Sequence, residues 1–275
     1  MKRGNLIWCA LLLPAMAQAG PSMDAITATD NEIGLNLVST QMNYSETGNG
    51  VVGPAGVELD SEDGSVGGFS MDASLMRDIL FGRDYVEMGY DRVHGSVGYT
   101  GSYQSGVYGS VAAKSDATLD GFHLRVGHGI AVSDWLITPY LEFGNHEWDR
   151  DVGAGAPGSV SETYTHDYYG LGAMVQLAPS RALVLTLNGL AGRTYNANMN
   201  SFGADFALGD SALYRIGFRA DYAVTTRLHL RAGVGYESFD YGASSVQYSP
   251  LLGFAAEPDS KTRLTTLDAG LAYAF

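Results

Sequence analysis

The sequence predicts an all-β chain, a transmembrane antiparallel up-and-down β-barrel of about ten strands with both termini in the periplasm. Three observations predict it. Apolar and polar residues alternate with a period of two along most of the chain, down to its last residue. The connections between these segments are short and long by turns. The chain opens with two basic residues and an apolar stretch too short to be a spanning helix.

Composition narrows the class. Of 275 residues, 36 are glycine and 17 tyrosine, and 17% are charged. An average chain has about 7% glycine and about 25% charged residues. With 45% apolar content and no long apolar run, a disordered chain and a helical membrane protein are both excluded. The formal charge of −14 argues against nucleic acid as a partner, since phosphate neutralisation needs a basic stripe. There is no Lys/Arg run, Walker-type loop or G-x-G-x-x-G between a strand and a helix.

Residues 1–19 read as a signal peptide. Lys2 and Arg3 form the basic region, residues 6–16 the apolar region, and Ala17-Gln18-Ala19 the small-x-small site, with cleavage after Ala19 on Sec export. Residues 20–275 form the barrel domain. Losing Lys2 and Arg3 takes the formal charge from −14 to −16. Cys9 leaves with the leader, which excludes disulfides, thiolate metal sites and a cysteine nucleophile from the mature chain. It is no lipoprotein anchor, because the apolar region runs on past it.

The strands follow in order. The first lies within residues 32–44: Ile33, Leu35 and Leu37 share one parity, but Met42 and Tyr44 fall on the other, which a bulge would explain. Residues 68–77 set Phe69, Met71, Ala73 and Leu75 against Ser70, Asp72 and Ser74. Residues 85–91 set Val86, Met88 and Tyr90 against Glu87, Gly89 and Asp91. Residues 122–130 set Phe122, Leu124 and Val126 against His123, Arg125 and Gly127. Residues 137–145 set Ile137, Pro139, Leu141 and Phe143 against Thr138, Tyr140, Glu142 and Gly144. Pro139 lacks a donor, so it is expected at a bulge or outside the dense ladder. Residues 169–177 alternate Tyr169, Leu171, Ala173, Val175 and Leu177 with glycines and Gln176, and Leu183, Leu185 and Leu187 begin the next strand. Residues 214–222 set Tyr214, Ile216, Phe218, Ala220 and Tyr222 against Arg215, Gly217, Arg219 and Asp221. Residues 228–237 oppose Leu228, Leu230, Ala232, Val234 and Tyr236 to His229, Arg231 and Glu237. The last strand ends with Leu267, Ala269, Leu271, Tyr273 and Phe275 against Asp268 and Gly270.

Ten strands is an even number, as single-chain bacterial barrels have. The short connections are residues 78–84, 131–134, 178–181 and 224–227. The long ones are 45–66, 100–119, 147–167, 197–212 and 242–261. Short periplasmic turns and longer external loops place both termini in the periplasm. Alternation alone fits a soluble sandwich too; the leader, Phe275 and the loop asymmetry decide for a barrel whose apolar faces meet lipid. The mature length also permits a twelve-stranded autotransporter-type translocator, but no passenger segment precedes the barrel.

The ending Gly270-Leu271-Ala272-Tyr273-Ala274-Phe275 resembles the C-terminal assembly motif of Gram-negative outer-membrane barrels. Leu271, Tyr273 and Phe275, with Ala269, match its positions, and the resemblance implies recognition by the barrel-assembly machinery. Residues 59–64, residues 139–144 with Trp148 and Arg150, and residues 257–260 resemble a widespread, poorly characterised group of proteobacterial outer-membrane barrels. That likeness implies fold and outer-membrane location, and brings no activity with it.

The polar faces carry a candidate charge network in the lumen: Glu87, Asp91, Arg125, Glu142, Arg215, Arg219, Asp221, Arg231, Glu237 and Asp268, beside Asp72, His123 and His229. Acids and bases nearly balance there, and a ring of about eight strands is just filled by side chains. The expectation is therefore a narrow, charge-filled lumen in a monomer acting as a structural or surface-interaction protein through its loops, its extracellular partner unspecified. The alternative is a small-solute channel. A rim enzyme of omptin type would draw on His146, Glu147, Asp149, Asp151, Glu162, His166 and Asp167, but no matching motif or serine triad is visible. Glu46, Glu58, Asp60, Glu62 and Asp63 read as a solvated acidic loop, with Ca²⁺ bridging to lipopolysaccharide phosphates as the sharper option. No catalytic, cofactor or metal residue is assigned; outer-membrane lipid and lipopolysaccharide are the expected surroundings.

Overall fold

The computed structural model describes residues 23–80, 82–102, 108–154, 159–251 and 253–275; the expected signal peptide lies outside the described residues. A short helix, α1 (Met23–Thr29), is followed by β1 (Glu32–Thr47), β2 (Glu58–Asp78), β3 (Arg83–Gly101), β4 (Val111–Val132), β5 (Trp135–Val152), β6 (Val160–Ser180) and β7 (Leu183–Ser201). Then come β8 (Ala204–Ala207), β9 (Ala212–Ala223), β10 (Leu228–Tyr241), β11 (Gln247–Ser249), β12 (Gly253–Ala255) and β13 (Asp259–Ala274). Ten strands, β1 to β7 with β9, β10 and β13, pair antiparallel with their neighbours. β1 pairs with both β2 and β13, and β6 with β7, so the ring is closed. Closure leaves no unpaired edge, which hydrocarbon would not tolerate. β8 folds back antiparallel on the end of β7, and β11 pairs with β12 as a separate hairpin.

An apolar belt girdles the outside. Leu37, Leu171 and Leu267 are 77, 65 and 59% exposed, and Ile33, Leu35, Leu141, Ile216, Leu230 and Leu271 also point out. Aromatic residues border it: Phe122, Phe143, Tyr169, Tyr214 and Tyr236 on one side, Trp135, Tyr222, Tyr273 and Phe275 on the other. Trp135 and Phe143 mark the two borders at the ends of a nine-residue stretch of β5, the length a tilted strand needs to cross a bilayer core. Soluble cores place such residues inside; here Arg231 and Glu142 are inside and buried instead.

The strands run well beyond this belt. Residues 58–66, 111–119, 147–152 and 160–167, read as loop from sequence, are strand. The reason is a change of sign. Above the belt the outward positions become polar (Asp63, Asp116, Asp149, Ser161), and the inward ones turn aromatic or apolar (Tyr44, Val97, Trp148, Tyr164, Phe239). Backbone pairing continues while the apolar-out pattern stops. The same inversion accounts for Met42 and Tyr44. β1 stays in register with β13 from Glu32 to Thr47 without a bulge, and both side chains face inward. A register shift of β1 against β2 occurs only at Glu46/Thr47. Another lies between β6 and β7, where Asn196 takes a positive φ of 53°, a conformation asparagine tolerates better than most residues. Pro139 stays in register opposite Ala173, without a bulge; towards β4 the pairs stop at Gly127↔Tyr140 and resume at Ile130↔Ile137.

One end of the barrel, the turn end, holds the short connections and both described termini: the Phe275 amide donates to the Asn31 carbonyl at 3.0 Å. Here α1 contacts β5, β6 and β7, with Ile26 fully buried. Asn31 fixes it, donating from Nδ2 to the Thr27 carbonyl and accepting from the Met76 amide. A seven-residue helix leaves no trace in a period-two pattern, and the sequence reading did not anticipate it. At the β1–β13 seam, a Cβ on Gly270 would collide with the backbone carbonyl of Leu35 and the Asn36 Cα. Gly270→Ala is expected to destabilise the barrel by about 1–3 kcal/mol; an unchanged urea midpoint would contradict this reading of the seam.

Candidate functional site: a filled lumen

Inward-facing side chains project into the lumen in three tiers. The middle tier is a chain of charges. Arg125 on β4 donates from Nη1 to Glu87 Oε1 (2.9 Å, β3) and from Nε to Glu142 Oε2 (2.5 Å, β5). Arg215 on β9 reaches Glu142 Oε1 at 2.5 Å, and its Nε donates to Glu237 on β10. Tyr168 adds a hydroxyl to Glu142 at 2.9 Å, and His123 lies 3.2 Å from Glu87. The sequence Glu87–Arg125–Glu142–Arg215–Glu237 thus crosses the lumen from one wall to the other. Every carboxylate in it has a cationic partner, the condition under which buried charge is tolerated.

The turn-end tier is held by Arg231, which grips Asp72 through two 2.9 Å bonds from Nη1 and Nη2. This fork reaches from β10 to β2 over two strands, and glycine makes the path: a Cβ on Gly34 would collide with Arg231 Nη1. His229, Glu32 and Asp221 lie beside it.

The loop-end tier centres on Arg150, 4% exposed. Its guanidinium meets Glu162 at 2.5 Å, Glu46 at 3.1 Å, Glu62 at 3.5 Å and Asp60 at 3.6 Å. It also sits 5.0–5.4 Å from the ring centres of Tyr44, Trp148 and Tyr164, within cation–π range. Below it His146 and His166 stack at 5.3 Å, both against Phe239, with Tyr241 beside His166. This tier stands above the belt. Burial, ahead of the neighbouring charges, pushes the carboxyls of Glu46, Asp60 and Glu62 above the usual carboxylate range. Burial likewise lifts Glu257, which accepts from the Tyr164 hydroxyl, to about 9. One cation faces more carboxylates than it neutralises, which favours their protonated form.

Of the network residues read from sequence, Glu87, Arg125, Glu142, Arg215 and Glu237 meet in the middle tier. Asp221 and Arg231 lie in the turn-end tier. Asp91, Arg219 and Asp268 have no ion-pair partner within 4 Å among the described residues; they line two adjoining cavities of about 170 and 230 Å³. Leu271, Tyr273 and Phe275 form an outward row at the turn end.

Other expectations are corrected. Glu46, Asp60 and Glu62 are no solvated loop but buried around Arg150, because they continue the inward parity of β1 and β2. The two rim clusters are divided by the same parity. Glu147, Asp149, Asp151 and Asp167 sit at outward positions, whereas His146, Glu162 and His166 turn inward. His166 Nδ1 lies 2.8 Å from the Tyr241 hydroxyl, and neither His146 nor His166 hydrogen-bonds a carboxylate among the described residues.

A closed ring of ten antiparallel strands, greasy outside and charged within, defines the class: a β-barrel of outer-membrane type. Neither a protein-family model nor a curated protein matches the chain. Among solved structures it is similar to the outer membrane protease OmpT from Escherichia coli, with a TM-score of 0.55 at 10% identity, covering 90% of this chain and 98% of that one. It also matches OprG from Pseudomonas aeruginosa (TM-score 0.37, 11% identity, 89 and 97% covered) and neisserial surface protein A (0.33, 14%, 88 and 97%). At 10% identity the likeness to OmpT shows the fold alone.

Proposed function

We propose that this protein is a monomeric outer-membrane barrel, non-conducting and non-enzymatic, that acts through its loop end. The turn end, with both termini, faces the periplasm, and Leu271, Tyr273 and Phe275 serve as the row read during assembly. The charge chain from Glu87 to Glu237 carries this reading, because it occupies the lumen with side chains bonded to opposite walls. The Arg150 cluster and α1 support it at either end. At the loop end the β11–β12 hairpin exposes Tyr248, Leu251 and Phe254 by 65, 76 and 81%, an apolar tip of the kind that marks an interaction site. Lys261 and Arg263 project outward above the belt, where lipopolysaccharide phosphates would meet them.

Reconstitution in planar bilayers tests the proposal: the expected record shows no steady ion current. A large, stable conductance would overturn it in favour of a small-solute channel. The adjoining cavities, with Arg219, Asp91 and Asp268 on their walls and without an ion-pair partner among the described residues, are the observation that favours that second reading.

A further inference from the structure

Three lone-pair-bearing groups converge at the turn end of the lumen. His229 Nδ1 lies 2.8 Å from Asp221 Oδ1 and 3.5 Å from Glu32 Oε2, and one donor atom from each residue falls within 4.8 Å of the others. Their exposures are 2, 3 and 2%. Even so, His229 Nδ1, Asp221 Oδ2 and Glu32 Oε2 have no partner with hydrogen-bond geometry among the described residues. Three such atoms repel one another unless a positive charge lies among them.

We propose that Glu32, Asp221 and His229 form a binding site for a divalent transition metal, zinc by its donor set. One imidazole and two carboxylates are ligands that Zn²⁺ takes, whereas calcium and magnesium prefer oxygen throughout. Zinc bonds of about 2.0–2.1 Å at the tetrahedral angle put ligand atoms roughly 3.3 Å apart, and the observed 2.8 and 3.5 Å bracket that spacing. Charge closes as well. Arg231 gives both Nη donors to Asp72 and keeps only a 3.6 Å contact from Nε to Glu32 Oε1, so Glu32 Oε2 and Asp221 remain to face one dication. A cavity of about 40 Å³ opens beside Glu32 and Asp221, enough for a water as fourth ligand. The ligands come from β1, β9 and β10, and β13 between them presents only Ala272 and Ala274 inward at this level. The ion would therefore tie the first barrel strand to the last ones across the closing seam.

The test uses the full chain, folded in detergent and stripped with a chelator. It is titrated with Zn²⁺ by calorimetry and with Co²⁺ by its visible absorption. One ion per chain is expected, with tetrahedral Co²⁺ bands and a higher unfolding midpoint. His229→Gln and Asp221→Asn should each weaken binding by at least ~10-fold, with folding checked by heat-modifiable gel mobility. His128→Ala, whose ring pairs with Asp84 near the turn end, should leave binding unchanged. If His229→Gln does not fold, Asp221→Asn and Glu32→Gln carry the comparison. No binding at micromolar Zn²⁺, or equal affinity in wild type and the ligand variants, overturns the proposal: the positive charge would then be a proton on His229. Neither result bears on conductance, so this inference stands or falls apart from the closed lumen.

Discussion

Replacing Arg150 by methionine is expected to cost the barrel about 3–5 kcal/mol, the penalty for removing one partner of a buried charge cluster. Methionine fills most of the same space but leaves Glu46, Asp60, Glu62 and Glu162 facing one another with no cation. Those carboxyls must then take up protons or unfold the loop end. The deficit should accordingly be largest near pH 8 and shrink towards pH 5. Urea unfolding followed by tryptophan fluorescence at both values measures it, since Trp148 lies in the same tier. A loss below about 1 kcal/mol at pH 8 would falsify the view that Arg150 holds this tier together.

The wild type carries a pH signature of its own here. Glu257 titrates at about 9 in the folded chain against an ordinary value of 4.5. Between these values the folded state keeps a proton that the unfolded state has lost. The stability it contributes is full below about pH 4.5 and is lost as pH rises through about 9. Melting temperatures should fall across that window, and Glu257→Gln should flatten the slope.

The second large effect is expected at Glu142, whose side chain is fully buried between Arg125 and Arg215. Glu142→Ala strips a carboxylate from two guanidiniums and also leaves the Tyr168 hydroxyl without its acceptor. About 3–5 kcal/mol is again the scale. A double-mutant cycle separates pairing from simple truncation. Glu142→Ala combined with Arg215→Ala should cost clearly less than the two single losses added together. Strict additivity would show that the pair does not interact, and the charge chain across the lumen would lose its central link.

Much of the architecture was legible because side-chain parity in a strand is local. Ile137, Leu141 and Phe143 declare an outward face from nine residues of sequence, and Thr138, Tyr140 and Glu142 the opposite one. The same parity, carried on past Phe143, places His146, Trp148 and Arg150 inside. The apolar-out alternation itself stops there, because above the belt water replaces lipid as the neighbour. Glu46, Asp60 and Glu62 were read as loop for that reason. Helix α1 escaped for another: seven residues are too few for a 3.6-residue period to register.

The sequence by itself determined the strand number, the lipid-facing belt and the set of residues that turn to the centre, since each follows from alternation along one segment. Only the tertiary structure decided which of those residues meet. Arg231 finds Asp72 across 159 positions, and Arg150 finds Glu46 across 104. Such partners are set by register and by ring closure, which depend on every strand at once and leave no local mark in the chain.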